Sequence, residues 1–336
     1  VSCRAHDGAE RPLNHGVRQG AEGGLVSAVI PAWNVERYVA AAIQSVLDQD
    51  YPRVEIIVVD DGSADATVAR VEEFVSRGAP VSLLRQPHGG ACRARNHGLA
   101  AARGEFVQFL DADDWLAPQK FSAQVRWLRE HPEIAMAWSD HIVVAERGDP
   151  IRTVTLDLPS DRRGFMRAML GGEGCPHTNS LLLRTRPLRE RGVRWDETLG
   201  AAQEWDFQLQ AVRAGIRPGR CVGQFSYYRR RTSGNIWSRT VAEVTRHQEW
   251  ALDKWAGLLG TSPDLRRAAA RSYFKLARRY RQAGRPDDAE RLLREVFRLD
   301  PGFAPNEDNP LFNLIARLTN VRVALWAAGV KRRLGA

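Results

Sequence analysis

The chain has 336 residues, 43% of them apolar and 26% charged, with a formal net charge of +9. That is enough for one large domain with an appendage, in the composition range of globular proteins. No run within it nears the ~18 consecutive apolar residues of a membrane span, and Cys3, Cys92, Cys175 and Cys221 form no CxxC pair, which argues against a structural zinc site or a dithiol motif and for a reduced, cytoplasmic setting. The basic excess is nearly all arginine, since only Lys120, Lys254, Lys275 and Lys331 are lysines. Such a balance suits nucleic acid, phosphorylated substrates or an anionic membrane surface, and it equally follows from arginine-rich codon usage.

Residues 1–24 are rich in Gly, Arg and Glu without an apolar stretch, and read as a disordered lead rather than a signal peptide. From residue 25 strand and helix patterns alternate. Apolar runs at 26–30, 54–59, 81–84 and 106–110 read as buried strands, the first ended by Pro31. Helical spacing marks 38–47, 65–75 and 91–102, with Ser63 or Asp65 placed to cap the second. This order predicts βαβ units, hence an α/β fold with a mostly parallel sheet flanked by helices. Further helices are expected at 121–128, near 165–170 and at 204–214, with strands within 134–144 and at 180–183. The code turns helical and Arg-rich after about residue 241, so the domain is drawn as 25–238 and an all-α extension as 239–336.

Parallel sheets bind ligands beyond the carboxyl ends of their strands. There the sequence supplies Ala32, Trp33 and Asn34 after the first strand, Asp60 and Asp61 after the second, and Asp111, Asp113 and Asp114 after the fourth. No GxGxxG follows the first strand, so a dinucleotide site is not expected. Asp111 and Asp113, two apart on a turn, can converge on one hard cation such as Mg²⁺ or Mn²⁺, which would neutralise a diphosphate leaving group. The alternative is an Asx-rich turn that caps the next helix. Asp60 and Asp61 can accept from a pyrimidine N–H or ribose hydroxyls, or cap their own helix.

The segments VSAVIPAWN, VEIIVVDDGSADAT, GGACRARNHGLAAARGEFVQFLDADDW and VRWDETLGAAQEWDFQLQAVRAG, in this order over residues 26–231, resemble glycosyltransferase family 2, whose fold is of the GT-A type. The resemblance implies a nucleoside-diphosphate sugar as donor, UDP-linked by default with GDP and dTDP open, and no nucleic acid partner. Pro31, Ala32 and Trp33 would line the base pocket, and Asp60 and Asp61 would read nucleobase and ribose. Arg95 would contact base or phosphate, Asp111 ribose or metal, and Asp113 the metal that bridges the diphosphate. Where the family has Glu-Asp-Trp with the Asp as base, this chain has Gln203-Glu204-Trp205. Glu204 then takes the base position with one more methylene, and Gln203 removes a like charge. The implied reaction inverts the anomeric centre, so an α-linked donor gives a β-glycoside.

Arg229, Arg230 and Arg231 follow two tyrosines where the family folds over the donor, and Arg230 is the expected diphosphate clamp. Trp205 would wall the acceptor site or join the core, and His177 reads as a hydrogen-bonded structural histidine, the alternative being a contact to the acceptor. A nucleotidyltransferase would need a Gly-rich triphosphate loop, which PAWNVER is not. The competing reading is a catalytically weakened sugar-nucleotide-binding scaffold with a helical interaction tail.

Residues 272–301 resemble one tetratricopeptide repeat, a single copy expected to pack on neighbouring helices. Residues 311–336 carry five basic residues, no acid and a hydrophobic stripe. They suit peripheral contact with an anionic membrane, which would favour a lipid-linked acceptor, or equally a docked terminal helix.

Overall fold

A computed structural model describes residues 24–231 and 241–304. The expected disordered lead, save residue 24, and the basic segment 311–336 lie outside the described residues.

The first half is a run of βα units: β1 (Val26–Ala32), α1 (Val39–Leu47), β2 (Val54–Asp60), α2 (Thr67–Ser76), β3 (Val81–Arg85), α3 (Ala91–Ala101) and β4 (Phe106–Phe109). The second half holds β5 (Trp115–Leu116), α4 (Lys120–Glu130), β6 (Met136–Val144), β7 (Pro150–Val154), α5 (Arg162–Leu170), β8 (Leu182–Arg184), α6 (Thr185–Glu190), α7 (Gln203–Arg213) and β9 (Pro218–Arg229). Three helices follow, α8 (Val241–Ala256), α9 (Pro263–Gln282) and α10 (Pro286–Leu299).

The strands form one sheet in the order β3-β2-β1-β4-β8-β6-β9-β5, with β7 added to β6. β1 to β4 pair in parallel, β8 is antiparallel to both neighbours, and β6 runs parallel to β9. The expectation of a mostly parallel sheet therefore holds for the half that carries the βα units.

β1 does not end at Pro31 but runs to Ala32. Val29 O accepts from Leu110 N on the β4 side, and Ala32 O accepts from Asp61 N on the β2 side. Alternation then turns the Pro31 nitrogen toward β4, whose ladder stops at the Val29–Phe109 pair, so its missing N–H leaves no bond unmade.

Both sheet faces are covered, so the strands read as continuous apolar runs, yet the pleat still sorts them. Val26, Ala28 and Ile30 face a core shared with α1 and α4, whereas Val29 faces Phe109, Trp138 and the helices α5, α7 and α9. α3 lies so close to β1 that a β-carbon at Gly98 would collide with Val29 Cγ1. The second core is continuous with α8 to α10: Phe165 and Met169 of α5 share it with Trp255, Tyr273 and Leu276. α9 also closes the end of α5, where Ser272 Oγ donates to Leu170 O and Lys275 Nζ donates to the carbonyls of Gly171 (2.8 Å) and Gly172 (2.9 Å). These carbonyls would otherwise lack a helical partner. Among the described residues no helix is long and apolar enough to cross a membrane.

Candidate active site

The loops after β1 and β2 are tied to each other. Asn34 N donates to Ser63 Oγ at 3.0 Å, Ala64 N donates to Asn34 Oδ1 at 2.8 Å, and Val35 N donates to Thr67 Oγ1 at 2.8 Å. Asn34 takes a left-handed φ of 50°, which an asparagine tolerates. The N-cap of α2 is Ala66, without a side-chain cap, rather than Ser63 or Asp65; Asp65 Oδ1 accepts from Thr67 N at 3.0 Å just before it. Of the three residues expected at the base pocket, Pro31 is half-buried, Ala32 is buried within β1, and Trp33 is 51% exposed. The Trp33 indole stacks on His88, with ring centroids 4.5 Å apart.

His88 is held there by Asp61. Asp61 Oδ1 accepts from Gln86 Nε2 (2.7 Å) and Gly89 N (2.9 Å), and Oδ2 accepts from Gly90 N (2.8 Å) and lies 2.9 Å from His88 Nδ1. The carboxylate is thus filled by the loop that opens α3. Gly62 permits this approach, with φ of 76° and the backbone of His88 where a β-carbon would need space. Asp60 is buried and accepts from Ser63 N at 3.2 Å.

Beyond β4 the chain turns back, Asp114 N donating to Asp111 O at 3.0 Å. Asp111 Oδ1 receives Arg95 Nη2 at 2.6 Å, Asp113 Oδ2 lies 3.3 Å from Arg231 Nη1, and buried Asp114 accepts from Asn179 Nδ2 (3.0 Å) and Arg229 N (2.7 Å). Burial pushes the Asp113 carboxyl up, as does the charge of Asp111, and Arg231 only partly opposes this. Asp114 is pushed well up by burial and by Asp113 and Asp111. At Asp111 burial acts the same way, but Arg95 and His177 outweigh it and hold the carboxyl below its usual range. Crowded carboxyls that resist ionising together are the setting a divalent cation relieves. One ligand atom from each of Asp111, Asp114 and His177 lies within 4.8 Å of the others, a donor set that fits Mn²⁺ or Mg²⁺.

His177 and Asp114 are the tip residues that D-x-D spacing missed. His177 sits at a single 3-10 turn before β8, with its ring 4.5 Å from Tyr228 and 5.4 Å from His141. Its Nδ1 contacts Asn179 Oδ1 at 2.6 Å, in line with a hydrogen-bonded histidine.

Glu204 lies in the first turn of α7, half-buried. The preceding Gln203 accepts from Arg95 Nη1 at 2.9 Å, so one guanidinium spans from α7 to Asp111. The charge of Glu204 adds to the factors that raise Arg95, Cys92 and Cys175, with burial largest at both thiols and Cys92 pushed up to about 12. Trp205 is half-buried against the core and donates its indole N–H to Met169 O at 3.0 Å.

The three arginines of β9 and its end differ. Arg229 is built in, donating to Asp113 O at 2.9 Å and lying 4.6 Å from the Trp115 ring. Arg230 is exposed and bonds through its backbone to Val144 O. Arg231 is the arginine on Asp113, and it also lies 4.9 Å from the Tyr38 ring.

This sheet, with its acidic tip after β4 and a carboxylate on α7, is the GT-A fold of glycosyltransferases. TarS of Staphylococcus aureus in complex with UDP-GlcNAc matches it with a TM-score of 0.64 at 18% identity, over 82% of this chain and 83% of that one. The mannosyltransferase PcManGT from Pyrobaculum calidifontis, in complex with GDP-Man and Mn²⁺, matches with a TM-score of 0.53 at 18% identity, over 93% and 81%. At such identities the likeness establishes the fold.

In sequence, residues 27–190 match the model of glycosyl transferase family 2. An uncharacterized glycosyltransferase of Haemophilus influenzae is 32% identical over 138 residues, 41% of this chain and 55% of that protein. The S. aureus poly(ribitol-phosphate) beta-N-acetylglucosaminyltransferase TarS is 26% identical over 211 residues, 62% of this chain and 36% of its own. The chain therefore spans about half or less of these two curated relatives. It has the GT-A fold, and over residues 27–190 its sequence is similar to the family 2 glycosyltransferases.

Proposed function

We propose that this chain is an inverting glycosyltransferase that moves a sugar from a nucleoside diphosphate, UDP in the first instance, to an acceptor hydroxyl, with Mn²⁺ or Mg²⁺. The observation that supports the reading is the Arg95 fork: one guanidinium bonds Asp111 of the acidic tip and Gln203, the neighbour of Glu204. The complexes of the two structural neighbours, with UDP-GlcNAc and with GDP-Man and Mn²⁺, support the donor class.

In this reading Trp33, backed by His88, stacks on the nucleobase, and Asp60 and Asp61 shape the ribose and base pocket around it, Pro31 and Ala32 forming its floor. Asp111 and Asp113, with Asp114 and His177 beside them, would hold the divalent cation. That cation supplies charge to the departing diphosphate. Arg231 provides further positive charge beside Asp113, with Arg230 its neighbour in the chain. Glu204 takes the proton of the acceptor hydroxyl as its oxygen attacks the anomeric carbon from the face opposite the diphosphate, which inverts the centre.

The acceptor class follows the relatives only broadly, as a glycan or lipid-linked hydroxyl in cell-surface synthesis at the cytoplasmic face. Peripheral contact through residues 311–336 would serve that, and vesicle binding lost on truncation after Pro310 tests it. We assign the tetratricopeptide-like pair α9–α10 to packing, because Tyr273, Leu276, Ala289 and Val296 are buried in the core.

The test is a panel of UDP-, GDP- and dTDP-sugars with Mn²⁺, scored by thermal stabilisation and then by transfer or donor hydrolysis. Activity lost in Asp113→Ala and Glu204→Gln, with donor binding kept in the latter, supports the reading. Equal activity in Glu204→Gln contradicts it.

A further inference from the structure

Asp206 stands two residues after Glu204 and has no solvent exposure. Its partners come from α8, in the C-terminal helices. Lys254 Nζ lies 2.8 Å from Oδ1 and 3.0 Å from Oδ2, and the Trp255 indole N–H donates to Oδ1 at 2.8 Å. Gln210 Nε2 fills the remaining position on Oδ2 at 2.7 Å. Lys254 also reaches Asp196 Oδ2 at 2.7 Å.

Asp196 follows Trp195, and Trp195 is the platform under Arg95. The Arg95 guanidinium lies 4.5 Å over that indole, whose other side stacks on Phe207 of α7 with centroids 4.3 Å apart. Asn96 locks the backbone of Trp195 from both directions, at 2.9 and 2.8 Å. One ammonium on α8 therefore joins the segment under Arg95 to the helix that carries Glu204. Between those anchors Ala202 holds a left-handed φ of 58°, and Gly200 lies against His247 of α8, whose ring a β-carbon would meet at 2.7 Å. Strained backbone persists only where its surroundings hold it.

We propose that α8 is part of the catalytic apparatus, with Lys254 as a positioning residue that aims Glu204 at the acceptor through Asp206 and Asp196. This rests on the reading of Glu204 as the base. The lever is geometric: general bases lose much of their effect when displaced by about an ångström. Glu204 is in the first turn, where a helix is held least by its own hydrogen bonds.

Lys254→Met alone leaves Asp206 buried without its cation and can fail to fold. The Lys254→Met/Asp206→Asn double variant removes both charges and keeps an acceptor for Trp255. Lys254→Arg restores the charge, and a cavity of about 360 Å³ lined by Trp195, Asp196, Lys254 and Trp255 leaves room for the larger head. The experiment measures thermal midpoint, donor KM and kcat for the wild-type chain and these variants. It also measures amide exchange over residues 199–206.

The expected result for the double variant is a midpoint near wild type, a donor KM within about twofold, a kcat lower by about tenfold or more, and faster exchange at 199–206. Lys254→Arg is expected to recover most of the kcat. A folded double variant with wild-type kcat and unchanged exchange overturns the inference while leaving the proposed function standing. A wild-type chain that binds donors yet transfers to no acceptor and hydrolyses none overturns the proposed function and this inference with it.

Discussion

Arg95 and Asp111 form an ion pair of 2.6 Å between α3 and the end of β4, and the buried guanidinium has no solvent to replace its partner. Burial opposes its charge, but the Asp111 carboxylate, with smaller contributions from Cys92 and Glu204, outweighs it and keeps Arg95 charged. Arg95→Ala would strand a carboxylate in a crowded acidic tip and cost about 3 kcal/mol of stability. Arg95→Lys keeps the charge but not the fork, which serves Asp111 and Gln203 at once. We expect it to stay folded, as seen by denaturant melts, while turnover falls by about tenfold or more.

The Trp33–His88 stack makes a separable prediction. Trp33→Ala removes a stacking face worth about 1–3 kcal/mol per base. Nucleoside diphosphate affinity should fall about tenfold or more by calorimetry, and KM should rise with kcat nearly unchanged. His88→Ala should act in the same direction and less strongly, since it acts behind the indole.

Glu55 predicts a pH dependence of stability away from the cleft. It pairs in register with Ser27 and accepts from Ser27 Oγ (2.6 Å), Arg103 N (2.7 Å) and Arg103 Nε (2.8 Å). Burial pushes its carboxyl up, but those donors together outweigh it, so the folded value lies below the ordinary carboxylate value of 4.5. The stabilisation is therefore complete above that value and fades as pH drops through the lower, folded one. Glu55→Gln should cost about 2 kcal/mol at pH 7. In urea melts the gap from wild type should narrow in acid; a gap independent of pH contradicts the assignment.

Ala202 precedes α7 at a positive φ that disfavours a β-carbon by about 1–2 kcal/mol. Ala202→Gly should raise the unfolding free energy by up to about 1 kcal/mol, the rest being offset by glycine's greater chain entropy. Thermal melts give the sign.

The parts of this fold legible in sequence were those whose burial leaves a local pattern. The strands β1 to β4 are apolar runs between helices of 3.6-residue spacing, and the polar residues after them mark the rim. β7 was not legible because it is an edge strand with mostly exposed residues, so Pro150–Val154 carries no burial pattern. β9 was not legible either, since glycines and register shifts against β6 interrupt its alternation. At the site, Asp111 and Glu204 could be named from their motif. Their pairings could not: that Arg95 bonds both Asp111 and Gln203, that His177 reaches the acidic tip and that Lys254 meets Asp206 each depend on contacts across long stretches of chain. Asp61 has one local signal, the pair of glycines opening α3 whose N–H groups need an acceptor.

The most direct test of the whole account is a crystal structure of the chain with Mn²⁺ and a non-hydrolysable UDP-sugar. The account predicts the diphosphate between the Asp111–Asp113 tip and Arg231, the base against Trp33, and Glu204 on the opposite face of the sugar ring. A nucleotide bound away from that tip, or Glu204 on the same side as the diphosphate, would contradict it.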